Sequence, residues 1–153
     1  MEPEPIQVLV GEDHGLMLEA IVNRLSSHPD FVIACTADDG RKLVDTYRAL
    51  AREGRRSDVV LSDYAMPQLN GVEAMRLILA DHPDAKVLIL SAFDDRSLVV
   101  SAMSAGAVGY ILKSVPPAEL RDCVRAATAL YGGILTEIER ADYRVLDGRV
   151  SVS

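Results

Sequence analysis

Hydrophobic positions in this chain come as short, nearly unbroken runs separated by longer amphipathic stretches. The runs are Ile6 to Val10, Phe31 to Cys35, Val59 to Leu61, Lys86 to Leu90 and Tyr110 to Leu112. Apolar runs this short, bounded by turn formers, predict strands buried on both faces. Between them apolar residues recur at helical spacing: Leu18, Ile21, Val22 and Leu25; Leu43, Tyr47, Leu50 and Ala51; Val72, Met75, Ile78 and Leu79; Val99, Ala102 and Met103. A last face runs Leu120, Cys123, Val124, Ala127, Leu130 and Tyr131. Each predicts a helix with one buried side. The punctuation agrees. Asp38-Asp39-Gly40 and Asp94-Asp95 offer helix caps, Gly54 and His82-Pro83 offer stops, and Pro117 suits a first helical position.

Five strands alternating with five helices predict right-handed βαβ units, hence an α/β fold with a doubly wound parallel sheet. Two strand orders are common for such sheets. The flavodoxin-like order 2-1-3-4-5 brings the exits of the first and third strands side by side. Functional groups in open α/β sheets sit just beyond the carboxyl ends of the strands.

The residues at those ends change the picture. The first strand stops at Glu12 and Asp13, the third at Asp63, the fourth at Ser91 and the fifth at Lys113. Taken singly, each has an ordinary explanation: a cap or turn former for the acids, a turn for Ser91, a solvated surface for Lys113. Their joint occurrence at the same end of alternate elements does not. Three crowded carboxylates raise one another's proton affinity unless a cation neutralises them. An all-oxygen donor set suits Mg²⁺ or Mn²⁺ better than Zn²⁺. His14, His28 and His82 are scattered, and the last two, before Pro29 and Pro83 or nearly so, read as surface residues. A divalent ion beside a carboxylate, with a lysine opposite, fits phosphoryl transfer with Asp63 as nucleophile. Lys113 would then neutralise charge on the phosphoryl oxygens, and Ser91 would hydrogen-bond one of them.

Composition narrows the alternatives. The 153 residues suit one domain, and 49 % apolar residues are ample for its core. A net charge of −7 opposes nonspecific binding to nucleic acid. The basic cluster Arg48, Arg52, Arg55 and Arg56 is read as a solvated helix end. Cys35 and Cys123 fall in apolar patterns and are expected as buried free thiols. No run approaches the roughly 20 apolar residues of a membrane span. The acidic start Met1-Glu-Pro-Glu-Pro lacks the basic region of a signal peptide, so a cytoplasmic location is expected.

From about residue 5 to 131 the chain resembles the receiver (phosphoacceptor) domain of bacterial two-component response regulators. The matching motifs are VLVGEDH, DVVLSDYAMPQLNG, VLILSA and AGAVGYILKS. Glu12-Asp13-His14 and GYILKS look most like the NarL/FixJ (LuxR-type) subgroup. The resemblance implies a CheY-like fold, an acidic metal pair Glu12 and Asp13, and Asp63 as phosphoacceptor. It also implies the backbone carbonyl of Ala65 as a further metal ligand, Ser91 and Tyr110 as switch residues, and Lys113 as phosphate contact. In such domains Mg²⁺ serves as cofactor and a sensor histidine kinase supplies the phosphoryl group. The domain is a signalling phosphoacceptor that catalyses only its own phosphorylation and dephosphorylation. Phosphorylation would draw Ser91 inward and let Tyr110 rotate from exposed to buried.

The expected organisation is a receiver at residues 1–131 and a tail at 132–153. Alternating runs around Asp147-Gly148 carry the signal of a two-residue hairpin over 143–152. Regulators of this subgroup continue into a helix-turn-helix domain, and direct binding to nucleic acid is not expected of residues 1–153 themselves. A homodimer is compatible with the tail's pairing edges. The segment from Gly40 to Asp58 is about one helical turn longer than usual, and Pro116 stands where family members often place a capping Ser or Thr, leaving Ser114 as candidate cap. Two other functions remain: a phosphorylation-independent interaction module of the same fold, and a metal-dependent phosphatase. The first makes no use of the acidic set; the second needs a substrate pocket and a second acid/base beside Asp63.

Overall fold

Every apolar run folds as a strand and every amphipathic stretch as a helix in the computed structural model, which describes residues 4–128. The strands are β1 (Ile6–Gly11), β2 (Phe31–Ala37), β3 (Val59–Asp63), β4 (Val87–Ser91) and β5 (Gly109–Leu112). The helices are α1 (Gly15–Ser26), α2 (Gly40–Arg52), α3 (Gly71–Asp81), α4 (Arg96–Ser104) and α5 (Pro117–Thr128). All pairings are parallel and the order is β2-β1-β3-β4-β5, as predicted. Residues 129–131 of the last predicted face, the tail and the hairpin over 143–152 lie outside the described residues.

Alternation along each strand divides the core into two layers. Val8, Val10, Val59, Leu61, Leu88, Leu90 and Ile111 face α1 and α5, where Ile21, Leu25, Leu120 and Val124 meet them. Leu9, Val60, Val87, Ile89 and Tyr110 face α2, α3 and α4, meeting Leu43, Met75, Ile78 and Val99. A fully buried side chain of this size contributes about 1.5–3 kcal/mol, so the layers hold the three central strands in one register.

That register sets up the site. Gly11 pairs with Ser62, Asp63 with Leu90, and Ser91 with Leu112. The next residues, Glu12 and Lys113, therefore leave the sheet on the same rim as Asp63 and Ser91. Asp39 caps α2 through Lys42 N–H (2.7 Å), and Asp95 caps α4 through Ser97 N–H (2.8 Å). Asn70 and Glu73 form a reciprocal capping box at α3. Pro117 opens α5, whose first-turn amides at Glu119 and Leu120 donate to the Pro116 carbonyl.

Two expectations need correction. Cys35 is exposed, because β2 is an edge strand and its apolar reading does not guarantee cover; Cys123 is buried. Ala51 faces solvent, while Val44, on the same side of α2, is buried with Leu43 and Leu50. His28 and His82 stay at the surface, each beside a ring, that of Phe31 (centroids 5.8 Å apart) and of Tyr47 (5.1 Å). The arginine cluster is largely engaged with acids: Arg48 with Asp81, Arg55 with Glu53, and Arg56 with Glu4 and Asp58.

Candidate functional site

The loop after β3 is built to hold Asp63 in place. Its turn closes on Gln68, whose φ is +72°, with Leu69 N–H donating to the Pro67 carbonyl at 2.8 Å, a γ-turn of the strained sense. The Pro67 carbonyl also accepts from Gly40 N–H at the start of α2 (3.2 Å). Gly71 then packs on β3 itself: a Cβ there would stand 2.4 Å from the Asp63 carbonyl oxygen. Only glycine permits that approach.

At the rim, Glu12 and Asp63 are 0 % and 1 % exposed. Lys113 Nζ bridges them, 2.8 Å from Glu12 Oε1 and 3.0 Å from Asp63 Oδ1. Ala65 N–H points at Asp63 Oδ1 at 3.4 Å, which places Ala65 beside Asp63. Asp13 is partly exposed at the mouth. Asp63 Oδ2 is buried without a hydrogen-bond partner. A buried oxygen left unpaired is costly.

One ammonium cannot satisfy two buried carboxylates equally. Burial works against charge on Glu12, but Lys113, the His14 amide and Asp63 together hold its carboxyl below the usual value. At Asp63 burial dominates, and with the Glu12 charge it outweighs Lys113, pushing the carboxyl up to about 7. Burial would lower Lys113, yet the two acids raise it. The group is thus short of positive charge.

Ser91 and Tyr110 form a second cluster one strand away. Ser91 Oγ accepts from Phe93 N–H (2.9 Å), and the Tyr110 hydroxyl donates to the Phe93 carbonyl (2.7 Å). Burial above all raises the Tyr110 phenol's pKa. Tyr110 is 0 % exposed and packs in the core layer with Ile89 and Val99.

Donor atoms of Glu12, Asp13, His14 and Asp63 all lie within 4.8 Å of one another. His14 is the member that the reading of the histidines as scattered passed over. Its place in the run Glu12-Asp13-His14 was the available signal. Three carboxylates and an unpaired buried oxygen fit a divalent cation.

The response regulator receiver domain family matches residues 8–125. This chain belongs to that family. The receiver is 37 % identical over 120 residues to the transcriptional regulatory protein DegU of Brevibacillus brevis, covering 78 % of this chain and 49 % of the relative. It is 31 % identical over 147 residues to a transcriptional regulatory protein NarL of Mycobacterium tuberculosis, covering 91 % and 66 %. The receiver thus spans about half the length of DegU. Among solved structures it is similar to the NarL signal receiver domain of Mycobacterium tuberculosis, with a TM-score of 0.76 at 30 % identity over 84 % of this chain and 100 % of that one. It is also similar to a chain of the CheX–CheY–BeF₃–Mg²⁺ complex of Borrelia burgdorferi, with a TM-score of 0.76 at 25 % identity over 83 % and 92 %. No helix among the described residues is long and apolar enough to cross a membrane.

Proposed function

We propose that residues 1–131 act as a phosphoacceptor receiver in which Asp63 takes a phosphoryl group from a sensor histidine kinase. The observation that carries this is the buried Asp63 carboxylate, one oxygen held by Lys113 and the other unpaired. In this reading Asp63 Oδ2 attacks phosphorus, the phosphorus–nitrogen bond of the phosphohistidine breaks, and its electron pair returns to the imidazole. Glu12, Asp13, Asp63 and the Ala65 carbonyl are the residues that would hold Mg²⁺ or Mn²⁺. That ion would keep Asp63 ionised and neutralise the transferred group.

Lys113 turns from carboxylates to phosphoryl oxygen, gaining a dianion as partner. Ser91 exchanges its Phe93 N–H contact for one to the phosphoryl group, which frees the loop carrying Phe93. Tyr110 inside the core then holds that loop through the Phe93 carbonyl. Phe93 and Val100, both about half exposed, would lie on the surface that changes. Leu16, 85 % exposed at the start of α1 beside the acidic mouth, suits the kinase's docking face. The setting is cytoplasmic, the regulated output transcription in keeping with the DegU and NarL relatives, and self-association of the switched surface a consequence.

The test is incubation with Mg²⁺ and acetyl phosphate followed by intact mass. One phosphoryl group is expected on the wild type and none on Asp63→Asn. An unmodified wild type, or equal modification of the variant, overturns the assignment.

A further inference from the structure

Beyond the acids, His14 stands at the same cluster with its side chain unemployed in the fold. It occupies the N-cap position of α1, where a side chain ordinarily accepts from a backbone amide, yet makes no such cap bond. Instead its Nδ1 lies 3.4 Å from Glu12 Oε2 and 3.4 Å from Asp13 Oδ1. Two donors sharing an ion at about 2.1 Å stand about 3 Å apart when adjacent around it. The imidazole nitrogen is thus at ligand spacing from two carboxylates at once. Glu12 is divided between two neighbours: Oε1 faces Lys113, while Oε2 accepts from His14 N–H at 3.2 Å and faces the His14 ring. A second, separate feature belongs to the same cluster: the buried Asp63, whose donor atoms reach within 4.8 Å of the other three residues and whose Oδ2 has no hydrogen-bond partner.

We infer that His14 ligates the divalent ion through Nδ1 and biases this receiver toward a first-row transition ion such as Mn²⁺ over Mg²⁺. The chemistry follows from the donor. Mg²⁺ demands oxygen and keeps its water, whereas imidazole suits the transition ions. The ring is 73 % exposed, so it meets the cluster from the solvent side. The inference rests on the acidic group being a metal site, and adds which ion that site selects.

Equilibrium binding of Mn²⁺, read from the loss of the free-ion paramagnetic signal, and of Mg²⁺ by competition, tests it on wild type and His14→Ala. The variant keeps the backbone amide that donates to Glu12, and its melting temperature is followed alongside. The expected result is a loss of about tenfold or more in Mn²⁺ affinity with Mg²⁺ affinity changed less than twofold. Electron spin echo modulation from a directly bound nitrogen is expected in the wild-type Mn²⁺ complex and absent in the variant. Wild type that binds both ions, with no nitrogen modulation and no effect of His14→Ala, overturns the role of His14 and leaves the site reading standing. Wild type that binds neither ion overturns both.

Discussion

Lys113 Nζ lies 3.0 Å from Asp63 Oδ1 across the width of β4, so one ammonium at the exit of β5 spans to the carboxylate at the exit of β3. Because it also serves Glu12, Asp63 is under-neutralised and its carboxyl rises to about 7, burial being the main cause. An unfolded Asp titrates near 3.9. Between those values the folded state retains a proton that the unfolded state has released. Stability of the metal-free protein therefore falls as pH rises from about 4 to about 7 and levels off above. Each unit of separation is worth about 1.4 kcal/mol. Urea denaturation in chelator at pH 5 and pH 8 should show the wild type less stable at pH 8 relative to Asp63→Asn. A wild-type-minus-variant difference that is flat with pH contradicts this.

Removing the ammonium tests the same shortage from the other side. Lys113→Ala leaves Glu12 and Asp63 buried together without their cation. Breaking such a pair costs about 3–5 kcal/mol, held lower here because Asp63 takes up a proton. The melting temperature in chelator is expected to fall, and Mg²⁺ to restore more of it than in wild type, since the metal then supplies the only positive charge. Calorimetry with and without Mg²⁺ reads both. An equal Mg²⁺ response in the two proteins would contradict the electrostatic account.

How much of this could be read from the chain follows from how local each determinant is. Val59-Val60-Leu61 ending at Asp63, and Leu88 to Leu90 ending at Ser91, are strand-and-exit signals complete within a few residues. Elements and site rim were legible for that reason, whereas the strand order, which no local signal encodes, came from the family resemblance. Cys35 was not, because Phe31 to Cys35 looks the same whether a strand is central or at an edge, and β2 proves to be the edge. Ala51 and Val44 lie one above the other on the same side of α2, and Ala51, in the last turn, extends past the cover that buries Val44. His14 was passed over because its approach to Glu12 and Asp13 depends on the turn into α1. The contact between Gly71 and Asp63 likewise exists only once the loop has closed.

Tyr110 and Phe93 supply a third test. The phenol donates to the Phe93 carbonyl at 2.7 Å and is otherwise packed in the core layer with Ile89 and Val99. Tyr110→Phe keeps the ring and leaves the carbonyl without its donor, a loss of about 1 kcal/mol. Tyr110→Ala adds a cavity, with a loss of about 3–5 kcal/mol. Amide exchange across residues 92–95 is expected to quicken in Tyr110→Phe while that of β1 is unchanged. Uniform quickening would show that the hydroxyl does not pin the loop.

Gly71 offers the sharpest separation of geometry from chemistry, because it carries no functional group. Its missing Cβ leaves room for the Asp63 carbonyl oxygen, which would otherwise be 2.4 Å away, and for Ser62 Oγ at 3.0 Å. Gly71 N–H also donates to the Tyr64 carbonyl at 2.8 Å, so α3 cannot back away without breaking the loop. Gly71→Ala must therefore displace the acceptor strand's exit. Strain of about 1–3 kcal/mol is expected, with phosphorylation of Asp63 slowed although every reacting side chain is retained. Gly15→Ala is the control: nothing lies within 4 Å of a Cβ there, at the first turn of α1, and a gain of about 0.5–1 kcal/mol is expected from helix propensity. Denaturant midpoints and acetyl phosphate labelling rates of the two variants decide it. If Gly71→Ala labels at the wild-type rate, the glycine does not position the acceptor.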